Sequence, residues 1–360
     1  MAVVCLLISA YVGRNLETQR GQVGIRFPED VINGEQLEEL KQAYESDRNV
    51  GGEPDKSDKK EPEEFPDITL WRQNKEGTVS DPEDGLRKKE TQQEVFRQEI
   101  KQSGTKYIQV KVIEVWGDVE QIYPGRLMAG AAISKEDEAG CMLSKEAAFD
   151  LFGAVDILDK EVLYEGKIYQ VRGILDLEEE VFLREDQQVF CSFLEVQESP
   201  GEGVEQLRQI LSPAGISLEA GAVLEWDMIC WILGMVRTLA LGILLFGGIR
   251  WIGKEWGNDA TSRGYGRHRV FLWCLRIVVL LILFLLMKEN WCLSQDYIPA
   301  RWSDFEFFGE LFQRQKENYL RYLDMADIWK DRKLFTEICW TLGWIAASVV
   351  CGCGWIRSRD

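Results

Sequence analysis

The sequence predicts an extracytoplasmic α+β domain of two sub-lobes joined to an α-helical membrane bundle of four transmembrane helices. Three long apolar segments follow residue 225, and a shorter one occupies residues 1–12. Residues 13–225 carry 25 Lys and Arg against 46 Asp and Glu, so the chain's net charge of −18 is concentrated there. Within that acidic block, short strand patterns alternate with short helix patterns, which is typical of an α+β domain.

Residues 1–12 (MAVVCLLISAYV) are the first apolar segment and are expected to form a first transmembrane helix. Twelve residues are few for a bilayer core, which takes about 20 helical residues. We therefore expect this helix to be short or to begin upstream of Met1. The alternative is the apolar core of a signal peptide, although a basic start and an Ala-x-Ala-like cleavage site are both absent.

The first half of the acidic block alternates ordered segments with charged excursions. The sequence predicts a strand over residues 21–27, a helix over 33–46 that Asn33 caps, and a strand over 68–74. Residues 46–66 are polar and rich in Gly and Pro, so this acidic insertion is expected to be disordered. Residues 86–104 are either an amphipathic helix or a second charged excursion.

The second half of the block gives clearer patterns. Ser144 caps a predicted helix that Gly153 ends. A hairpin over residues 160–175 is predicted to turn at Glu165 and Gly166. The remaining predictions are strands over 107–116, 140–143 and 187–196, a strand leading into a turn over 120–130, and a helix over 203–215 that ends at Pro213.

Three windows are long and apolar enough to cross a bilayer, and Trp residues lie near their ends, as at membrane interfaces. The loop 250–269 has five Lys or Arg against two Asp or Glu, and the tail 357–360 is also basic. The positive-inside rule therefore predicts a multi-pass protein of the cell membrane with both termini cytoplasmic. Residues 13–225 and the loop 288–337 are then outside. The predicted spans are 226–249, 270–287 and 338–356.

Several kinds of chemistry are excluded by the residue types. The chain has no G-x-x-x-x-G-K-[S/T] loop, so it does not bind ATP by itself. Its single histidine, His268, lies in the predicted cytoplasmic loop, which excludes a Ser-His-Asp or Cys-His site outside. The acidic run Glu178–Glu180 is interpreted as a solvated loop. An acidic block is unsuited to nucleic acid. We therefore expect no nucleic-acid partner, cofactor, metal or enzyme activity.

The nine cysteines do not form a metal-ligand pattern. Six lie in or at the apolar segments, where cysteine acts as a small hydrophobic residue. Of the other three, Cys141 and Cys191 fall in predicted strands, and Cys292 is left over. An odd count argues against a disulfide framework, but a bond between Cys141 and Cys191 stays open.

Two features inside the apolar segments suggest function. Arg237 lies near the middle of its segment, where a charged side chain costs roughly 2.5–3.5 kcal/mol. It is therefore expected to face a partner helix or a wet seam. Gly343, Ala347 and Cys351 follow at i, i+4 and i+8. Such small residues suit close helix packing, either within the bundle or in a dimer interface.

The outer loop carries aromatic and leucine residues near helical spacing between Phe305 and Leu323. An amphipathic helix of this kind either lies along the outer leaflet or packs on the outer domain. The sequence leaves both placements open.

Three stretches follow one another in the acidic block: YPGRLMAG, CMLSKEAAFDLFG and KEVLYEGKIYQVRGIL. They correspond to a strand that ends in a Gly-Arg turn, a helix that ends in Leu-Phe-Gly and a hairpin centred on Gly. With one span before them and three after, they resemble the FtsX-like superfamily of ABC-transporter permeases and its MacB-like periplasmic core domain. The inner loop KEWGNDATSRGYG is similar, at a longer spacing, to the family's Glu-x-Gly…Arg-x-x-Gly coupling segment. The matching residues are Glu255, Gly257, Arg263 and Gly266.

This resemblance implies a permease subunit that is not itself an enzyme. It implies a separate cytoplasmic ABC ATPase as partner, docked on the loop 250–269, and a homodimer or a pair with a related permease among the membrane lipids. ATP hydrolysis by that partner would drive export or mechanical signalling, with Leu151 and Phe152 as core residues of an outer relay. The alternative is a membrane-anchored sensing or scaffolding protein whose outer domain binds an envelope partner without a transport ATPase.

Overall fold

A computed structural model of the chain describes residues 1–50, 65–81, 107–123, 125–135, 137–197, 204–259, 265–289, 297–299, 301, 305–325 and 327–357. The helices in these ranges are α1 Ala2–Val12, α2 Arg14–Glu17, α3 Gly34–Val50, α4 Val119–Ile122, α5 Lys145–Phe152, α6 Val204–Leu211, α7 Trp226–Asp259, α8 Tyr265–Glu289, α9 Phe305–Leu323 and α10 Trp329–Arg357. The strands are β1 Gln22–Arg26, β2 Asp67–Ser80, β3 Tyr107–Trp116, β4 Leu127–Gly130, β5 Gly140–Ser144, β6 Glu161–Tyr164, β7 Lys167–Leu175, β8 Val181–Glu185, β9 Phe193–Gln197 and β10 Ala222–Glu225.

The strands of the described ranges form one sheet in the order β10-β1-β9-β2-β3-β8-β5-β7-β4. Pairs β3–β8 and β5–β7 are parallel, and the other pairs are antiparallel. Strand β6 pairs with β7 and with the end of β2, so β2, β3, β8, β5, β7 and β6 form a closed ring. The prediction of two sub-lobes is not confirmed, because the open and closed parts share one sheet and β2 belongs to both.

Strand β8 is buried along its whole length and β3 is buried from Val112 to Trp116, so both faces of the sheet are covered there. Successive residues point to opposite faces and enter different cores. Val112 and Phe182 belong to a core that helix α5 completes. Their neighbours Ile113 and Leu183 belong to a second core, on the other face, which also contains Trp329 of α10. The long apolar helix α10 therefore begins inside the α+β domain.

A third core lies where the sheet is open. Ile25 of β1, Leu70 of β2 and Leu194 of β9 project from one face of the sheet. Leu37 of α3 and Leu207 of α6 cover them. All five are nearly or fully buried, so this face is closed by helices and the opposite face is left to meet the membrane helices.

Three local predictions are confirmed. The Asn33 Oδ1 accepts a hydrogen bond from the Gln36 N–H at 2.9 Å at the start of α3. The Ser144 hydroxyl accepts one from the Ala147 N–H at 3.2 Å, and Gly153 ends α5 with a φ of 70°. In the hairpin, Glu165 and Gly166 have φ values of 48° and 81°, as a two-residue turn of the primed type requires.

Other predictions differ from the structure. Residues Val181–Glu185 are a strand in the middle of the sheet, which the acidic residues before it concealed. Residues 119–122 are a short helix rather than part of a strand. The helix α3 runs to Val50, so the first residues of the predicted disordered insertion are helical. The rest of that insertion, to residue 64, and the segment 86–104 lie outside the described residues.

Three helices are long and apolar enough to cross a membrane: α7, α8 and α10. The shorter apolar helix α1 packs mainly on α10. Its 11 residues extend about 17 Å, against about 30 Å for a bilayer core. Helix α7 continues to Asp259 and α8 begins at Tyr265, so both helices extend into the predicted loop 250–269. Helix α10 begins at Trp329, nine residues before the predicted span.

Candidate functional site

The α+β domain is bonded to the last long helix through four charged side chains, called here the junction cluster. Arg26 is on β1, Glu195 is on β9, and Lys330 and Asp331 are in the first turn of α10. All four side chains have 0% exposure. Two positive and two negative charges balance inside the cluster, which is the condition under which buried charges are tolerated.

Arg26 holds both carboxylates. Its Nε and Nη2 donate to the two oxygens of Asp331 at 2.9 and 2.8 Å, a two-point contact that fixes the orientation of both groups. Its Nη2 also donates to Glu195 Oε1 at 2.6 Å. A strand residue of the sheet is therefore bonded directly to a residue of the membrane helix that lies 305 positions further along the chain.

Lys330 closes the cluster from the other side. Its Nζ lies 2.9 Å from Glu195 Oε2 and donates to the Gln121 carbonyl at 2.6 Å and to Gln22 Oε1 at 3.2 Å. The Trp71 indole N–H donates to Glu195 Oε1 at 3.1 Å. Glu195 is thus held by groups from β1, β2 and α10.

The alternation of the strands explains this placement. Ile25 and Leu194 enter the core under α3, so the next residues, Arg26 and Glu195, point to the opposite face, where α10 begins. Gly24 lies on that same face. A Cβ at Gly24 would be 2.8 Å from the Arg26 Nη2, so glycine leaves the space that the guanidinium fills.

Arg26 remains ionised although it is fully buried. Burial alone would lower the pKa of Arg26, but the adjacent carboxylates of Asp331 and Glu195 outweigh it and raise that pKa above its ordinary value. Arg26 therefore keeps its charge over the whole physiological pH range.

Further contacts hold the first turns of α10. The Trp329 ring stacks on Tyr123 with 6.2 Å between centroids, and Lys333 Nζ lies 4.9 Å from the centre of the same Tyr123 ring. Arg332 bonds Glu179 at 2.7 Å and Asp327 at 2.5 Å. These contacts, together with the junction cluster, fix the first turns of α10 to the α+β domain.

Arg237, predicted to face a partner helix or a wet seam, lies near the start of the chain. Its Nη1 is 3.3 Å from Glu17 Oε1 of α2. A Cβ at Gly13 would lie 3.3 Å from Arg237 Nη2 and 3.3 Å from Thr341 Oγ1. Helices α1, α7 and α10 therefore meet closely at Gly13.

The predicted packing stripe does not face the described helices of this chain. Gly343 and Cys351 are exposed, Ala347 is half-buried, and a Cβ at Gly343 would meet nothing within 4 Å. The buried residues of α10 lie on a different face. In the part of α10 that carries the stripe, they are Thr341, Ile345, Ser348 and Gly352.

The predicted coupling residues are only partly within the described structure. Glu255 and Gly257 belong to the end of α7, and Gly266 to the start of α8. Arg263 lies outside the described residues. The structure therefore describes the two helix ends that flank the loop, with three of the four predicted coupling residues on them.

Cys141 and Cys191 are both free and buried. They belong to different cores, one with α5 and the other with α3. Burial raises the pKa of the Cys191 thiol to about 12. The bond between Cys141 and Cys191 that the sequence leaves open is not formed.

Sequence reasoning missed the junction cluster. Its only sequence signal is the charged run Lys330–Lys333 immediately before an apolar segment, which also suits a membrane-surface anchor. The partners Arg26 and Glu195 are isolated charges in strands, and only the strand order brings them to α10.

Two solved structures are similar to this chain. The extracellular domain of the noncanonic ABC-type transporter YknZ from Gram-positive bacteria is 14% identical, with a TM-score of 0.35, and the match covers 56% of this chain and 99% of that one. The periplasmic region of MacB from Actinobacillus actinomycetemcomitans is 12% identical, with a TM-score of 0.39, over 60% and 93% of the chains. No family model and no curated protein matches. MacB is thus among the similar structures, as the sequence resemblance implied, but similarity this low does not show what the chain does.

Proposed function

We propose that the chain is the permease subunit of an ABC transporter, in which a separate cytoplasmic ATPase moves the membrane helices and the α+β domain transmits that motion outside. The observation that carries this proposal is the junction cluster. Four fully buried charges join two strands to the first turn of α10. A simple membrane anchor needs only a linker, whereas a relay needs a stiff joint of this kind.

The proposed ATPase contact is the loop 250–269. Helices α7 and α8 both extend toward it, so a force applied there acts on two rigid helices rather than on a flexible loop. In this arrangement Glu255, Gly257, Arg263 and Gly266 form the coupling element. The chain ends then lie in the cytoplasm, and residues 13–225 and 288–337 lie outside.

The proposed assembly is a homodimer or a pair with a related permease. The stripe Gly343, Ala347 and Cys351 suits the contact, because it is uncovered in the single chain and small residues allow two helices to approach closely. The outer partner decides whether the transporter exports a cargo or only transmits a mechanical signal.

The test is affinity purification of the full chain from detergent-solubilised membranes, followed by mass spectrometry. The proposal predicts an ABC ATPase among the bound proteins. Arg263→Ala should insert normally and lose that ATPase, because interface arginines typically cost about 2 kcal/mol or more on truncation. Arg301→Ala, at an exposed position of the other loop, is the matched control and should keep it. Absence of an ATPase with the wild-type chain would favour the sensing or scaffolding protein instead.

A further inference from the structure

Helix α9 is held on the sheet by its polar side. The Asn318 amide donates to the Val223 carbonyl and accepts from the Val223 N–H, each at 2.7 Å. These are the two bonds that a neighbouring strand would make with the edge strand β10. Arg321 adds a bond to the Gly221 carbonyl at 3.2 Å. The helix therefore covers the sheet edge and is fixed in place.

The level of α9 relative to the membrane follows from β10. Strand β10 ends at Glu225, and the long apolar helix α7 begins at the next residue, Trp226. Gln315 of α9 donates to the Tyr297 hydroxyl at 2.9 Å, and that hydroxyl donates to Glu225 at 2.8 Å. Helix α9 thus lies at the height where the chain leaves the domain and enters the membrane.

A second face of α9 is apolar, and none of the described residues covers it. Phe308, Phe312, Tyr319 and Leu323 follow at i, i+4, i+11 and i+15 and form one stripe. Their exposed fractions are 43%, 72%, 60% and 55%. Three Glu and three Arg or Lys balance in the helix, so its net charge is zero. The stripe offers apolar surface without a charge that would select a partner.

An apolar groove continues this stripe onto the membrane helix. The groove has a volume of about 700 Å³ and lies between the end of α9 and the first half of α10. Leu323 belongs to both the stripe and the groove. The Arg332 guanidinium at its rim is already bonded to Glu179 and Asp327. The apolar residues that line the groove are Tyr322, Leu323, Met325, Ile328, Phe335, Cys339, Trp340 and Gly343.

We propose that the stripe of α9 and this groove together form a lipid-binding surface in the leaflet nearest the α+β domain. The stripe inserts among the lipid chains, and the part of the groove around Leu323, Ile328 and Phe335 takes one acyl chain of a phospholipid. The continuity of the surface with α10, a helix long and apolar enough to cross the membrane, selects lipid as the occupant. The helix then rests on the membrane with one face and holds the sheet with another.

The inference depends on the membrane position of α7 and α10, and not on the ATPase. A failure would therefore leave the proposed permease function untouched. Because α9 has no net charge, binding comes from buried apolar area and does not require anionic lipid.

The test uses the full chain in nanodiscs of zwitterionic phosphatidylcholine, with a photoreactive benzoylphenylalanine in place of Phe312 or Tyr319 of the stripe or Met325 of the groove. Mass spectrometry should detect phospholipid adducts at all three positions after irradiation. Glu317, exposed on the polar face of α9, is the matched control and should give about tenfold less adduct. Two positions on the stripe give independent results should one variant fold poorly.

Three outcomes would overturn the proposal. One is an adduct to a second copy of the chain or to another protein at Phe312 and Tyr319. Another is an equal yield of lipid adduct at Glu317. The third is a yield at Phe312 that rises severalfold when anionic lipid is added, which would mean that charge controls the contact.

Discussion

At the scale of single residues, the junction cluster shows how a strand residue comes to hold a distant helix. Arg26 gains no stability from its own strand, where a β-branched residue would suit better. Arg26 instead stabilises the fold through its bonds to the carboxylates of Glu195 on β9 and Asp331 on α10. Removing one partner of such a cluster leaves the others charged and buried.

Arg26→Ala is therefore expected to lower the free energy of unfolding of the full chain in detergent by about 3–5 kcal/mol, the usual cost of breaking a buried ion pair. Arg126→Ala, at an exposed position of the same domain, should change it by less than about 0.5 kcal/mol. Chemical denaturation followed by tryptophan fluorescence measures both. Equal effects of the two variants would mean that the cluster does not hold the domain together.

Glu185 gives a second residue-scale prediction, on pH. Burial raises its pKa from 4.5 to about 7, Lys135 opposes the shift, and Asp137 and Glu138 add to it. Neither carboxylate oxygen accepts a hydrogen bond from a described residue. Between pH 4.5 and 7 the folded protein thus keeps a proton that the unfolded chain has lost, so this group's contribution to stability falls as pH rises through that window.

Glu185→Gln should therefore stabilise the chain at pH 8 by on the order of 1–3 kcal/mol, because a neutral amide avoids burying a charge, and much less at pH 4. Unfolding midpoints of wild type and variant at the two pH values measure the difference. A variant that is equally stabilised at pH 4 and pH 8 would show that Glu185 does not titrate in this range.

At the scale of elements, local sequence patterns predicted individual helices and turns better than the order in which the strands pair. The helix from Ser144 to Gly153 and the turn at Glu165 depend on caps and φ values that neighbouring residues decide. Strand β8 was missed because its core role depends on β3 and β5, which are distant in sequence. The junction cluster was missed for the same reason.

Ser144 connects helix α5 with strand β8. Its hydroxyl accepts hydrogen bonds from the Ala147 N–H and, at 3.0 Å, from the Val181 N–H that starts β8. Ser144→Ala leaves both donors buried and should lower the free energy of unfolding by about 1–3 kcal/mol. Ser217→Ala removes an exposed cap with one bond to Glu219 and should cost about 1 kcal/mol or less. Similar losses for both variants would contradict the double role of Ser144.

At the scale of the whole molecule, the orientation in the membrane decides where the α+β domain acts. With the loop 250–269 in the cytoplasm, a cysteine at Ser262 should resist a membrane-impermeant maleimide in intact cells. A cysteine at Ala220, exposed beside β10, should react at once. Both variants carry Cys292→Ser to lower the background. Labelling at position 262 before the membrane is opened would reverse the orientation.

The proposed permease mechanism requires α10 and the sheet to move together when a cytoplasmic ATPase hydrolyses ATP. Amide hydrogen exchange on the purified complex with its ATPase, comparing ADP with ATP plus vanadate, tests this most directly. We expect exchange in β1 and in the first turns of α10 to change between the two states, and Asp331→Asn to reduce the change in β1 while the ATPase stays bound. Unaltered exchange at both elements in the wild-type complex would contradict the proposed mechanism.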